Sequence, residues 1–308
     1  MRITNNMMVN CLRRNLNTNM LEMDKWQRQL SSGRKLNRPS DDPAGLVKSL
    51  RLRTNMNENE QYLENIGEAL NYMETTDAAL NNINQILQRV RELTVKAANG
   101  TNDTDAHKAI AVEIRELNDQ LKMIANTTYG TKHVFAGRNV TEQPCQGDEW
   151  KGNDENIELE IGIGVTMAIN LTNQSMKDFF FNKENDSDST KAADLTLSHG
   201  IFTMIDNLAN SIEAGKTDEA SSALDTIDAK VNDLLFARST IGAKINRLEL
   251  QKSRLESTQT EFTALLAQNE DADMAEVIIN LKMQENVYRA ALSAGAKIIQ
   301  PSLVDFIG

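Results

Sequence analysis

Proline is scarce in this chain. The four prolines are Pro39, Pro43, Pro144 and Pro301, with none between 44 and 143 and none between 145 and 300. Proline removes an amide donor and clashes inside a helix, at about 3 kcal/mol. Its absence over two such stretches leaves room for very long, unbroken helices. Cysteine is scarcer still: Cys11 and Cys145 are too few for a disulfide framework. Aromatic residues make up only 5%. A large globular enzyme usually draws on more of them, whereas a helical bundle can be filled with Leu, Ile, Ala and Met. No apolar run reaches the roughly 20 residues a membrane-spanning helix needs. No charged-then-apolar signal peptide opens the chain, which points to a cytoplasmic protein or to one exported without a cleaved signal.

Catalytic and ligand-binding signatures are missing as well. There is no nucleophile elbow, phosphate loop or dinucleotide fingerprint. His107, His133 and His199 lie far apart and form no pair at metal-ligand spacing. Asp186–Thr190 is acidic but has neither the glycine nor the final glutamate of a calcium loop. The expectation is a protein that is no enzyme, with no catalytic residues, no cofactor and no metal.

Charge is present but uneven. The net charge is -11 over 308 residues. Residues 1–53 hold eleven Lys/Arg against four Asp/Glu, so the acidic excess lies in the rest of the chain. A basic head can serve nucleic acid or an anionic membrane. Here it has no aromatic or glycine interleaving and no DNA-reading motif, so neither partner is expected.

The positive signal is a seven-residue repeat at both ends. Val9, Leu16, Met23 and Leu30 are seven apart, and Leu12 and Trp26 sit three residues after the first and third. Ile227, Leu234, Ile241, Leu248, Leu255 and Phe262 keep the same spacing. Apolar groups every 3.5 residues make a narrow stripe that must bury against another helix. Asn19 falls on the first stripe, where a polar residue commonly fixes register. Assembly, not catalysis, is the function this pattern suggests.

Along the chain, residues 5–31 read as a first amphipathic helix ended by Gly33. Ser40 or Asp41 then suits the N-cap of a second helix running from Ala44 to about Ala98, with Pro43 in its first turn. A third helix, carrying Ile110, Ile114, Leu117, Leu121 and Ile124, ends near Asn126. Gly130 and Gly137 mark a loop or hairpin. Ile157, Leu159, Ile161, Ile163 and Val165 alternate with polar residues or glycine, and Met167, Ile169 and Leu171 continue the alternation; this reads as one strand with one face buried. Helices are expected again over about 192–214, with Leu195, Ile201, Ile205, Leu208 and Ile212 buried, and over 218–268. Fifty helical residues span about 75 Å, more than the roughly 50 Å diameter of a compact globule of this length. A last helix carries Met274, Ile278, Leu281, Tyr288 and Leu292 and is closed by Pro301. The expected fold is mainly α: an elongated antiparallel long-helix bundle with coiled-coil termini and a small β-rich insertion. The expected domains are residues 1–43 with 270–308 (coiled-coil ends, disordered in the monomer), 44–137 with 195–269 (helical rod), and 138–194 (insertion).

Two segments carry a family resemblance. Leu30–Gly45, reading LSSGRKLNRPSDDPAG, is similar to the N-terminal signature of bacterial flagellins, and Asp271–Glu276, DADMAE, to their C-terminal signature. The start Met1–Asn5, the NRPS at 37–40, the AN at 125–126 with YG at 129–130 and FAG at 135–137, and the terminal Ile299–Phe306, IQPSLVDF, resemble the members that join hook to filament rather than filament flagellin itself. The resemblance implies an extracellular structural adaptor of the flagellum, exported unfolded by the flagellar type III apparatus without a cleaved signal. Its implied partners are further copies of itself in a ring, hook-associated protein 1, flagellin and an export chaperone. The implied assembly interface comprises Val9, Leu12, Leu16, Met23, Trp26, Leu30, Arg34, Arg38, Asp41, Asp42, Met274, Ile278, Leu281, Tyr288, Leu292, Leu303 and Phe306. A filament flagellin and a cytoplasmic coiled-coil scaffold remain the alternatives.

Overall fold

The computed structural model describes residues 5–99, 103–146, 149–153, 155–171, 173–181 and 200–299. Seven helices carry most of these residues: α1 (Asn5–Ser32), α2 (Pro43–Ala98), α3 (Thr104–Ala125), α4 (Asn173–Phe181), α5 (Ile201–Glu213), α6 (Thr217–Glu270) and α7 (Met274–Ile299). Three separate two-stranded antiparallel ribbons lie between α3 and α4: β1 (Thr128–Tyr129) with β2 (Lys132–His133), β3 (Cys145–Gln146) with β4 (Glu149–Trp150), and β5 (Glu158–Gly162) with β6 (Val165–Ala168). The chain divides into two compact units, Glu60–Glu256 and Met1–Asn59 with Ser257–Gly308.

The Glu60–Glu256 unit holds the hydrophobic core. Ile66, Met73, Leu80, Ile83, Leu87 and Val90 of α2 are buried, as are Ile227, Leu234, Ile241, Leu248 and Leu255 of α6. Both sets recur at the spacing of a continuous helical face, which is why these helices form and why those faces turn inward. Arg91 to Asp228 and Arg238 to Asp77 tie α2 to α6 in antiparallel order. α3 and α5 complete the bundle. Ile110, Ile114 and Leu121 are buried on one, and Ile201, Ile205, Leu208 and Ile212 on the other. Asn118 donates to the Phe202 carbonyl and to Asp206 between them. Asp103 caps α3 by accepting from the Thr104 amide. Leu195, placed in the expected 192–214 helix, lies outside the described residues; the helix observed is Ile201–Glu213.

The segment after α3 folds onto this bundle through aromatic rings, where most of the sparse aromatic content is spent. Phe180 stacks between Trp150 and Phe202, at 5.7 Å and 5.4 Å between ring centroids. Phe135 meets Phe180 edge-on at 5.8 Å, and Tyr72 meets Tyr129 at 6.1 Å. The Tyr72 hydroxyl donates to the Val134 carbonyl at 2.8 Å, and burial pushes that phenol up to about 12. Helix α4 brings Phe179, Phe180 and Phe181 into this cluster and answers to no apolar periodicity read from the sequence.

The single strand expected over Ile157–Leu171 is instead a hairpin. Gly164 has φ +67°, a left-handed conformation that glycine adopts without strain, and the chain reverses there. Leu159 pairs with Met167 across the ribbon, Ile161 and Met167 are buried, and Ile163 at the tip is 83% exposed. Apolar alternation continues through the reversal because both arms present the same face inward, so period alone does not show where one strand stops.

The second unit is built from α1, α7 and the adjoining ends of α2 and α6. Helices α1 and α7 pack antiparallel. Val9, Leu12, Leu16, Asn19, Met23, Trp26 and Leu30 are half-buried along α1, with Lys25 and Arg28 half-buried beside them and Gln29 buried. The facing residues of α7 are Val277, Leu281, Gln284, Tyr288, Ala291 and Gly295, also at alternating three- and four-residue steps. Gln284 donates to the Asn19 side chain at 3.3 Å, so the one polar residue on the α1 stripe meets a polar residue on its partner.

Candidate assembly surface

In the unit formed by Met1–Asn59 and Ser257–Gly308, only Leu52 and Val277 are buried large apolar residues among those described. The same unit exposes Met7, Met8, Met20 and Leu21 on α1, Val47 and Leu50 on α2, Leu265 on α6, and six more on α7. Those six are Met274, Ile278, Ile279, Met283, Val287 and Leu292. Their helical angles spread over the faces that α1 does not cover. Helix α7 is thus apolar around much of its circumference but covered on one side. A helix with that pattern normally lies inside a larger core, and single solvated monomers rarely carry contiguous apolar surface of this kind.

The residues expected at the interface divide into four groups. Val9, Leu12, Leu16, Met23, Trp26 and Leu30 form the α1 side of the seam, and Leu281 and Tyr288 part of the α7 side. Met274, Ile278 and Leu292 instead point out of the seam, at 40%, 47% and 46% exposure. Leu303 and Phe306 lie outside the described residues. The charged group sits in the turn between α1 and α2, where its members do local work. Asp41 accepts from the Arg38 amide at 2.8 Å and from the Asn37 amide. Asp42 is the N-cap of α2, accepting from the Ala44 and Gly45 amides at 3.0 Å each. That cap falls at Asp42 rather than at Ser40 or Asp41, because Pro43 opens the helix. The Arg38 side chain is exposed.

A polar cluster that periodicity could not reveal closes this unit at the turns. Residues 33–35 run antiparallel to 270–272. The Lys35 amide donates to the Glu270 carbonyl at 2.6 Å, and the Ala272 amide to the Gly33 carbonyl at 3.0 Å. The Glu270 side chain, 8% exposed, accepts two bonds from Arg53 at 2.7 and 3.1 Å, and lies 3.7 Å from Arg34. Hydrogen bonding from Arg53, with further help from Ser49 and from the charges of Arg53 and Arg34, holds the Glu270 carboxyl below its usual range against the opposing effect of burial. Asn269 donates to the Gly45 carbonyl and to Ser49, and Gln29 to the Lys35 carbonyl. The signal in the sequence was two acidic and amide residues at a helix end, Asn269 and Glu270, with arginines more than 200 positions away.

Among the described residues there is no group of three or more His, Cys, Asp and Glu that could hold a metal ion. His107 is buried, His133 Nδ1 lies 3.1 Å from the Asn126 carbonyl, and His199 and the acidic run 186–190 lie outside the described residues. Cys11 is exposed and Cys145 is buried, and no disulfide joins them. No helix is long and apolar enough to cross a membrane among the described residues.

Terminal helices in an antiparallel pair, a separate mid-chain bundle and uncovered apolar faces define a helical assembly subunit. The bacterial flagellin N-terminal helical region matches residues 3–140 and the bacterial flagellin C-terminal helical region residues 224–307. The chain belongs to the flagellin family, whose members are structural proteins of the bacterial flagellum. It is 32% identical over 281 residues to a flagellin of Bacillus subtilis, covering 89% of this chain and 88% of that one. It is 25% identical over 307 residues to flagellar hook-associated protein 3 of Escherichia coli, covering 96% of each. Among solved structures, the flagellar hook-associated protein 3 of Legionella pneumophila shares the fold, with a TM-score of 0.60 at 17% identity over 70% of this chain and 97% of that one.

Proposed function

We propose that this protein is a structural adaptor of the flagellum, forming the ring that joins the hook to the flagellin filament. One observation carries its role as an assembly subunit: the unit of α1 and α7 exposes thirteen large apolar side chains and buries two among its described residues. At about 25 cal/mol per Å² of apolar surface, covering those faces with neighbouring copies supplies the drive to assemble. The choice of junction over filament is supported by collinearity with hook-associated protein 3 over 96% of both chains, and by the terminal IQPSLVDF segment at 299–306. The bundle of Glu60–Glu256 has a hydrophobic core of its own.

In this reading the ring meets hook-associated protein 1 on one side and the first flagellin subunits on the other. The protein reaches that place outside the cell through the flagellar type III apparatus, escorted by an export chaperone. The role proposed is structural: Asp41, Asp42 and Glu270 of the terminal unit are engaged in a turn, a helix cap and an ion pair.

Immunogold labelling of isolated hook–filament preparations, with antibody against residues 138–194, tests the proposal. A single narrow band between hook and filament is the expected result. Label along the whole filament would make the chain a filament flagellin, the reading its 32% identity to a Bacillus flagellin favours. Label absent from the flagellum, with the protein retained in the cytoplasm, would overturn both.

A further inference from the structure

We propose that Phe236 is a knob that seats in the groove between α2 and α3 of a neighbouring copy, joining the mid-chain bundles side by side in the assembly. The inference rests on the reading of the chain as an assembly subunit, and holds for junction and filament alike. Phe236 on α6 is 78% exposed, and among the described residues it is the one aromatic side chain that stands out in solvent. Leu235 beside it is exposed as well. Arg238, two residues on, turns to α2 and bonds Asp77 and Asn81. Two residues are about 200° around a helix, so Phe236 points away from α2. The groove opens on a different side of α2. It is a cavity of about 400 Å³, with Ile86, Leu117 and Ile124 as its apolar lining and Asn82, Gln85 and Gln120 exposed on its rim. Phe236 therefore cannot fill the groove of its own chain. Knob and groove nevertheless stand at one level of the bundle, because Arg238 reaches Asn81 and Asn82 lines the groove.

A second copy is the occupant that shape and charge favour. An apolar projection and a pocket on different faces of one molecule make a heterologous contact, which passes from copy to copy instead of closing on a pair. Residues 60–256 hold 19 Lys/Arg against 32 Asp/Glu, so two bundles repel over most of their surface. They meet at least cost where charge is absent or opposite. Of the four residues one turn from Phe236, Asn232, Ser239 and Thr240 are uncharged and Asp233 is acidic. The groove answers with three amides and with Arg89, half exposed at its end while bonded to Glu113. An aromatic anchor in an apolar pocket, ringed by polar groups, is the usual centre of a protein interface. One such anchor falls well short of the roughly 1,200 Å² that a stable interface buries. The contact thus adds to the drive of the terminal faces, and dilute chains stay apart.

Cross-linking in isolated hook–filament preparations tests the contact, with the full chain carrying Phe236→Cys and Gln85→Cys in a Cys11→Ser background; Cys145 is buried. A short bismaleimide, followed by blotting, should give a ladder of dimers, trimers and larger products, and neither single variant should give one. Products that stop at the dimer, or that form equally from Phe236→Cys alone, would show a two-fold contact and overturn the proposal. Protein present in the preparation without cross-links would overturn this proposal alone. Protein missing from the preparation would overturn the assembly reading together with it. Phe236→Asp gives a second readout. At so exposed a position the variant should keep the wild-type melting temperature. Its amount retained in the preparation should fall about tenfold, as loss of an anchor residue implies, and its amount in the medium should rise. Leu250→Asp, 75% exposed on the same helix, should be retained like wild type. Wild-type retention of Phe236→Asp, or an equal loss in Leu250→Asp, would sink the knob.

Discussion

Gly295 on α7 packs directly against Leu12 of α1. A methyl group built there would stand 2.5 Å from Leu12 Cδ2, so the missing side chain is what lets the leucine fill the seam. Alanine at a helical glycine recovers about 1 kcal/mol of intrinsic helix preference, and Leu12 can turn its end aside. Gly295→Ala should therefore be nearly neutral for the α1–α7 pair, while Gly295→Val should weaken it by about 1–3 kcal/mol through overpacking. Chemical denaturation followed by Trp26 fluorescence would measure both. Tyr72 makes a second residue-scale statement, this time about pH. The unfolded phenol titrates near 10 and the buried one near 12. The folded state keeps its proton longer, so this stabilisation is whole below pH 10 and disappears as the pH rises through 12. Burial lowers Lys230 and Lys244, so for them stability instead rises as the pH approaches 10.5. A calorimetric series should accordingly show the loss only above pH 10. Tyr72→Phe should remove that loss while costing about 1–2 kcal/mol at neutral pH, because the Val134 carbonyl is left without its donor.

Helix α6 shows how one element can anchor another. Lys244 donates to the carbonyls of Ala168, the last residue of β6, and of Asn170 just beyond it, at 2.9 and 3.0 Å, and Gln251 donates to the Ile161 carbonyl within the ribbon. A two-stranded ribbon is marginal on its own, so these bonds to a rigid helix hold its place. Lys244→Met keeps the stem and strands both carbonyls. The ribbon amides should then exchange with solvent at least tenfold faster, with α2 and α3 unchanged, in a hydrogen-exchange experiment. Elements with a strong period were legible in advance. The α1 stripe fell on the half-buried seam from Val9 to Leu30, and the α6 heptad from Ile227 to Leu255 fell in the core, because one period decides both helix and burial. What escaped reading had no such period. The reversal at Gly164 is a single backbone angle inside an unbroken alternation. Helix α4 is nine residues with three adjacent phenylalanines. The Arg53–Glu270 fork joins positions 217 apart, which no local pattern can link. For α7 the apolar residues were evident, but which of them face α1 was not: Val277 took the seam, and Ile278 turned outward.

For the molecule as a whole, the distribution of apolar surface separates folding from assembly. Among the described residues, the Glu60–Glu256 unit buries a large apolar core while exposing eight large apolar side chains, whereas the terminal unit exposes thirteen and buries two. The uncovered set is unusually rich in thioether: Met7, Met8, Met20, Met274 and Met283 are all at least 40% exposed, whereas Met73, Met167, Met176 and Met204 are buried in the other unit. Methionine suits a surface that must adapt to several neighbours, but its sulfur is readily oxidised to a polar sulfoxide. Mild peroxide should therefore convert these five methionines of the terminal unit, together with Met123 on the bundle, before the four buried ones, as peptide mass mapping would record. Treated protein should keep the melting transition of its core and lose its capacity to join neighbours, and methionine sulfoxide reductase should restore it. A flagellar subunit of this build thus carries much of its oxidative vulnerability on the same apolar faces that its neighbours would cover.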